Sequence, residues 1–289
     1  FGLFVPFVVL ATFKYLDTKI NTRDDLENGL KGITILGEVP FDENLDQNEI
    51  NSRGIIAESI RVLRSSLSFL LTKPKSNVIT VTSSIKGEGK SFISYQLALS
   101  YSALGKKTIL LGGDLRNPQL HKYSGIDKSS LGISTYLSDE SYKNLDKLIL
   151  NDKKSSGVDY ILSGPIPPNP SELLMRKRMK DLIDILKKKY DVILIDSAPL
   201  MLVSDTSSLL PLSDLVVYVS RSQVSDKNIF PFIKNLNKTP QTPPFGMVLN
   251  GLITGPNSGY NYKYAYRYSY SYKYNYGYGY GYKSNNEKS

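Results

Sequence analysis

The stretch Val78 to Ser91, VITVTSSIKGEGKS, constrains the chain most, because a β-branched run breaks there into a glycine loop and passes at once into a helical pattern. Gly87 and Gly89 lack a Cβ, so the backbone can curl with its N–H groups inward. Lys90 is then placed to reach β- and γ-phosphates and the Ser91 hydroxyl to ligate Mg²⁺, the chemistry of a phosphate-binding loop at a helix N-terminus. Nucleotide phosphates are expected at Lys86, Gly87, Glu88, Gly89, Lys90, Ser91 and Phe92. Ser84 stands where the GxxxxGK[ST] pattern usually opens on glycine, and it is small enough for the same turn. The plain alternative is a structural strand, turn and helix; the strand before the loop and the helical run Phe92 to Leu104 after it are the context a phosphate loop requires.

Two more apolar runs end in acids. KTILLGGDLRNP, Lys107 to Pro118, carries Asp114, and YDVILIDSAP, Tyr190 to Pro199, carries Asp196. Parallel strands end at one edge of a sheet, so both carboxylates are expected beside a metal at the phosphate loop. One such acid means little. Two, in a chain with a GxGKS loop, point to nucleotide hydrolysis or phosphoryl transfer. Apolar runs at Asp214 to Val219 and Phe245 to Gly251, alternating with helical stretches, complete a mainly parallel α/β sheet.

The absence of cysteine excludes disulfides, thiolate metal sites and cysteine nucleophiles, and His121 as the sole histidine excludes a multi-histidine metal centre. The net charge is +9, and five cations against one acid in the last thirty residues put +4 of it in the tail.

Phe1 to Phe13 is apolar and uncharged, and Lys14, Lys19, Arg23 and Lys31 come after it. A span needs about twenty such residues, so residues 1–20 are read as the end of a membrane helix, against the alternative of a buried core helix. The basic residues suit the positive-inside bias, so the rest of the chain is expected in the cytoplasm. Residues 21–48 read as a juxtamembrane linker with one extended piece at Ile33 to Val39, residues 49–256 as the folded domain and residues 257–289 as a tail. Ala57 to Leu70 sets Ile60, Leu63, Leu67 and Leu70 on one helical stripe and Glu58, Arg61 and Arg64 on another, either solvated or in contact with a partner. In SGPIPPNPSELL, Ser163 to Leu174, prolines delay the next helix to Ser171, its expected cap. That helix runs to Lys189 with Arg176, Lys177, Arg178 and Lys180 near its start, facing a partner or solvent.

On these motifs the chain resembles the bacterial tyrosine kinases, the cytoplasmic kinase domains of polysaccharide co-polymerases that regulate capsule and exopolysaccharide synthesis and export. The resemblance spans nearly all of Glu49 to Asn250 and the tail, and GPIPPNPSELL is its most specific marker. It implies a P-loop NTPase-like α/β fold, ATP and Mg²⁺ as cofactors, Lys90, Asp114 and Asp196 as catalytic residues, and Ser91, Asp114 and Asp196 around the metal. Asn250 sits where related ATPases contact adenine. Glu58, Arg61 and Arg64 match an ExxRxxR motif that joins subunits in a ring, expected to be an octamer. The implied partners are the export and polymerisation machinery, a cognate tyrosine phosphatase and the membrane, and not nucleic acid.

Two departures stand out. The family's second acidic strand usually ends Asp-x-Asp, and the first of those acids is Gly112 here. Its loss leaves an ATP-binding scaffold or partition-type ATPase as the alternative function, and predicts that Gly112→Asp raises activity provided the backbone there does not require positive φ. The extra lysine of cell-division and partition relatives falls at Ile85, one place from Lys86.

The tail holds Tyr260, Tyr262, Tyr264, Tyr266, Tyr268, Tyr270, Tyr272, Tyr274, Tyr276, Tyr278, Tyr280 and Tyr282, every even position. A strand would line one face with these rings, but apolar partners are missing and Gly277, Gly279 and Gly281 oppose regular structure, so a disordered tail is expected. As phosphoacceptors modified in trans, the tyrosines gain about −1.5 to −2 charges each, so roughly three phosphates cancel the tail and more drive subunits apart.

Overall fold

The computed structural model describes residues 17–41, 54–71, 76–127, 131–142, 144–151, 157–202, 205–240 and 242–253. The tail tyrosines Tyr260 to Tyr282 and the apolar run Phe1 to Phe13 lie outside the described residues. Contacts divide the chain into two units, Phe1–Leu252, which carries the sheet, and Ile253–Ser289.

The described strands are β1 (Thr34–Pro40), β2 (Asn77–Ser83), β3 (Thr108–Gly112), β4 (Leu150–Asn151), β5 (Val158–Ile161), β6 (Val192–Asp196), β7 (Leu215–Arg221) and β8 (Phe245–Leu252). They form one sheet in the order β1-β8-β7-β2-β6-β3-β5-β4, parallel throughout except for the short β4 against β5. The described α-helices are α1 (Arg23–Gly29), α2 (Ile55–Leu70), α3 (Lys90–Ser102), α4 (His121–Ser124), α5 (Ile133–Ser138), α6 (Pro170–Met175), α7 (Lys177–Leu186) and α8 (Phe230–Lys238).

Side chains of a strand alternate between faces, and the core obeys that rule. Ile79, Val81, Leu110, Leu194, Val217 and Val248 pack together with Leu63 and Leu67 of α2 and Ile93 and Leu97 of α3. Their neighbours Val78, Ile109, Leu111, Ile193 and Ile195 pack instead with Met179, Leu182 and Leu186 of α7. The helix expected over Ala57 to Leu70 is therefore α2, with Ile60, Leu63 and Leu67 buried and Leu70 partly so.

Three expectations are corrected. First, 21–48 is not merely a linker and the membrane-helix end does not extend to residue 20. Thr22 caps α1 in a capping box with Asp25, β1 adds to the sheet beside β8, and Ile20, Leu26 and Leu30 are buried with Met247 and Leu249. Second, the helix expected from Ser171 to Lys189 is two helices, because Arg176 is extended (φ −63°, ψ 147°) between α6 and α7. Third, Asn169 and not Ser171 is the N-cap of α6, with Pro170 in the first turn. Among the described residues no helix is long and apolar enough to cross a membrane.

Candidate active site

Because β2, β3, β6, β7 and β8 run parallel, their carboxyl ends meet at one edge. Gly112 pairs with Asp196, Val81 also pairs with Asp196, and Arg221 pairs with Asn250. The phosphate loop leaves β2 there and enters α3 through Gly87 (φ +92°) and Gly89 (φ +96°), a backbone region that glycine adopts without strain. A Cβ on Gly89 would also lie 2.0 Å from Asn250 Nδ2.

The loop is held from behind by residues distant in sequence. The fully buried Glu88 carboxylate accepts from the Ile85 N–H at 2.8 Å and from the Ser225 hydroxyl, and burial pushes its carboxyl up. Asn250 Nδ2 donates to the Glu88 carbonyl at 2.9 Å and Arg221 Nη1 to the Gly87 carbonyl at 3.0 Å. Glu88 thus staples the loop with its side chain, while Lys86 is exposed. Ser84 accepts from the buried Tyr218 hydroxyl at 3.1 Å, a bond that a glycine there would not make.

Inside the loop the three expected catalytic residues converge. Lys90 Nζ is 3.1 Å from Asp114 Oδ2. Burial works to lower the Lys90 ammonium, but Asp196 and Asp114 outweigh it and hold it above its ordinary value. Asp114 Oδ1 accepts from the N–H groups of Arg116 (3.2 Å) and Asn117 (2.9 Å), and the Asp114 N–H donates to the Asp196 carbonyl at 3.0 Å. Burial pushes the Asp196 carboxyl up to about 6, with Lys90 and the Ser91 hydroxyl pulling the other way. Among the described residues no hydrogen-bond partner reaches Asp196 Oδ1. An unpaired oxygen on a buried carboxylate beside the Ser91 hydroxyl is the hard-oxygen donor set that suits Mg²⁺, so the residues fit that ion. Phe92 faces the Tyr123 ring at 6.3 Å, and Tyr123 stacks on Tyr95 at 5.7 Å. Burial, and then Asp196, push the Tyr123 hydroxyl up.

Gly112 is a packing requirement. A Cβ there would come within 2.6 Å of Ser163 Oγ and 2.7 Å of the Ser163 backbone N. Ser163 Oγ in turn donates to the carbonyls of Gly112 (2.7 Å) and Asp114 (3.1 Å). The space an acid at Gly112 would need is filled by Leu162 and Ser163, just past β5, which argues against the expectation that Gly112→Asp raises activity.

On α2, Arg61 and Glu58 form an exposed ion pair at 2.8 Å. Arg64 turns inward instead, donating from Nη1 to Ser100 O (2.6 Å) and Ser100 Oγ (2.8 Å) of α3. Of the basic cluster, Arg176 donates to the Leu137 carbonyl, and Arg178 donates to those of Glu140 and Tyr142 while lying 4.2 Å over the Tyr136 ring. These two arginines satisfy carbonyls in and after the last turn of α5; Lys177 and Lys180 are exposed. Sequence reasoning missed Asp205, Arg221, Ser225 and Ser163, single polar residues without motif spacing.

No family model matches the chain. A protein of the Klebsiella pneumoniae cps region is 33% identical over 229 residues, covering 71% of this chain and 31% of its own length. The chain thus spans about a third of that relative. Tyrosine-protein kinase YwqD of Bacillus subtilis is 30% identical over 208 residues, which cover 72% of this chain and 86% of YwqD. The kinase domain of the Escherichia coli tyrosine kinase ETK superposes with a TM-score of 0.74 at 28% identity, covering 83% of this chain and 97% of that domain. With a phosphate loop, two buried strand-end acids and these relatives, the chain belongs to the bacterial tyrosine-protein kinases.

Proposed function

We propose that the chain is an ATP-dependent protein-tyrosine autokinase that phosphorylates the tail tyrosines Tyr260 to Tyr282 of neighbouring copies in a capsule or exopolysaccharide export system. The carrying observation is the buried cluster in which Asp114, after β3, and Asp196, at the end of β6, meet Lys90 of the glycine loop, in a kinase-family chain with a tyrosine ladder. The loop N–H groups and Lys90 bind the phosphates of ATP. Lys90 moves from Asp114 to the phosphates, which frees the Asp114 carboxylate to orient the acceptor phenol and take its proton. The phenolic oxygen bonds to the γ-phosphorus as the bond from that phosphorus to the β–γ bridging oxygen breaks, and ADP leaves with the electron pair. Ser91 and Asp196 would hold Mg²⁺, with Asp114 beside its bound water, and the ion when bound neutralises phosphate charge.

The same reading includes an octameric ring joined through Glu58 and Arg61, a cognate tyrosine phosphatase that resets the tail, and a place on the cytoplasmic side of the inner membrane. The test of transfer between copies is a mixture: Lys90→Ala protein with its tail intact, beside a catalyst whose tail tyrosines are phenylalanine. Phosphate on the Lys90→Ala tail supports transfer in trans, and a tail left unmodified contradicts it. Gly112 favours a second reading, an ATP-binding scaffold without transferase activity, which predicts nucleotide binding and no phosphotyrosine.

A further inference from the structure

Arg116 and Asp205 form a contact that the proposed mechanism leaves unused. Arg116 Nε lies 2.8 Å from Asp205 Oδ2 and Nη2 lies 3.1 Å from Oδ1, a bidentate pair. The Ser171 hydroxyl donates to the same carboxylate and accepts from Arg116 Nη2 at 3.1 Å. Three segments meet there: the turn after β3, the loop after β6 and the first turn of α6, where the proline-rich stretch becomes helical.

The Asp205 side chain is 1% exposed, while that of Arg116 is 46% exposed. Burying a carboxylate under a half-exposed guanidinium is a poor source of stability, because desolvation offsets most of the attraction. What the pair supplies is geometry. Asp114 Oδ1 is held by the backbone N–H groups of Arg116 and Asn117, so the turn pinned by the Arg116 side chain is the turn that aims the Asp114 carboxylate at Lys90. On the other side, Thr206 donates from its hydroxyl to the Ala198 carbonyl at 2.6 Å, two residues past Asp196. The two acid-bearing loops are therefore tied at their bases, through Asp114 N–H and Asp196 O, and again further out through Arg116 and Asp205.

The geometry points to Asp205 as a positioning residue of the phosphate site: it acts through Arg116 on Asp114, and Ser171 closes the clasp. The proline-rich stretch then serves the site by bracing the acids, without touching nucleotide. The effect on nucleotide rests on the proposed kinase reading; the clasp itself does not.

The test uses the full chain with Asp205→Asn, Arg116→Gln and Ser171→Ala. In the nucleotide-free protein, amide hydrogen exchange at Arg116 and Asn117 rises severalfold in the first two variants, while the amides of β2 keep wild-type rates. By calorimetry, the ratio of ADP affinity with Mg²⁺ to that in EDTA falls about 10- to 100-fold, the usual cost of losing a residue that orients a metal ligand, with the EDTA value within about twofold. Ser171→Ala moves both readouts less, in the same direction. Unchanged exchange at Arg116 and Asn117 in the folded variants overturns the proposal, and so does a lower melting temperature with an unchanged Mg²⁺ ratio, the mark of a merely structural pair. Should Asp205→Asn fail to fold, Arg116→Gln, at a half-exposed side chain, decides alone. Absence of phosphotyrosine in the wild type counts against the kinase reading only, because the exchange arm contains no nucleotide.

Discussion

Lys90 Nζ rests 3.1 Å from Asp114 Oδ2, both side chains buried, so the lysine of the phosphate loop after β2 is paired with the acid that follows β3, two strands away across β6. Phosphate binding has to break that pair. Asp114→Asn removes the competing charge and is expected to tighten metal-free ADP binding, while phosphoryl transfer falls about 10²- to 10⁴-fold with the loss of the base. Calorimetry in EDTA beside a phosphotyrosine assay reads both. Weaker ADP binding in the variant would contradict the pairing.

Asp196 makes stability depend on pH. Its carboxyl is raised from 3.8 to about 6 by burial. Below pH 3.8 both the folded and the unfolded chain are protonated there, and the group costs nothing. Between 3.8 and about 6 the unfolded chain is ionised while the folded one keeps its proton, so this group's contribution falls as pH rises. Above about 6 the full cost, on the order of 3 kcal/mol, is present. Asp196→Asn should therefore melt higher than the wild type at neutral pH, with the gap closing as pH falls through 6 toward 3.8. Adding Mg²⁺ should increase the stabilisation by ADP in the wild type and not in the variant. A variant less stable than the ligand-free wild type at neutral pH would count against a desolvated Asp196.

The arginines of α2 separate into two roles. Arg64→Ala loses the bonds to Ser100 and should cost about 1.5 kcal/mol in urea unfolding. Arg61→Ala, at an exposed ion pair, should change stability by less than about 1 kcal/mol. If Glu58 and Arg61 join subunits, Arg61→Ala lowers the mass seen by light scattering while the fold is retained. The same mass for variant and wild type would assign this face to solvent.

At Gly112 an added Cβ meets the Ser163 backbone N at 2.7 Å, a group that cannot swing away. Gly112→Asp should destabilise by about 1–3 kcal/mol, as overpacking does, and should not raise kinase activity. Ser163→Gly in the same chain should recover only part of the loss, since the backbone contact stays. A Gly112→Asp protein of wild-type stability would refute the packing account.

What was legible in the sequence was local. The phosphate loop, the acids after β3 and β6 and the buried stripe of α2 each carry their pattern within a dozen or so residues, and the fold places them as that pattern implies. The clamps behind the loop were not legible. Asn250 is 162 residues from Glu88, Ser225 is 137 from it, and Asp205 is 89 from Arg116. A lone serine or aspartate announces no partner. The segment 21–48 misled for another reason: its few core residues, Leu26, Leu30, Leu36 and Val39, are scattered among charges and glycines and show no period. Arg64 is a third case, since periodicity places it on a face but does not say that its long side chain reaches back to Ser100.

The measurement that bears most directly on kinase activity is phosphosite mass spectrometry of the full chain after incubation with Mg²⁺ and ATP, beside Lys90→Ala checked for fold by circular dichroism. The account predicts phosphotyrosine within Tyr260 to Tyr282 of the wild type and none in a folded Lys90→Ala protein. Equal phosphotyrosine in both, or none in a wild type that binds ATP, would contradict it.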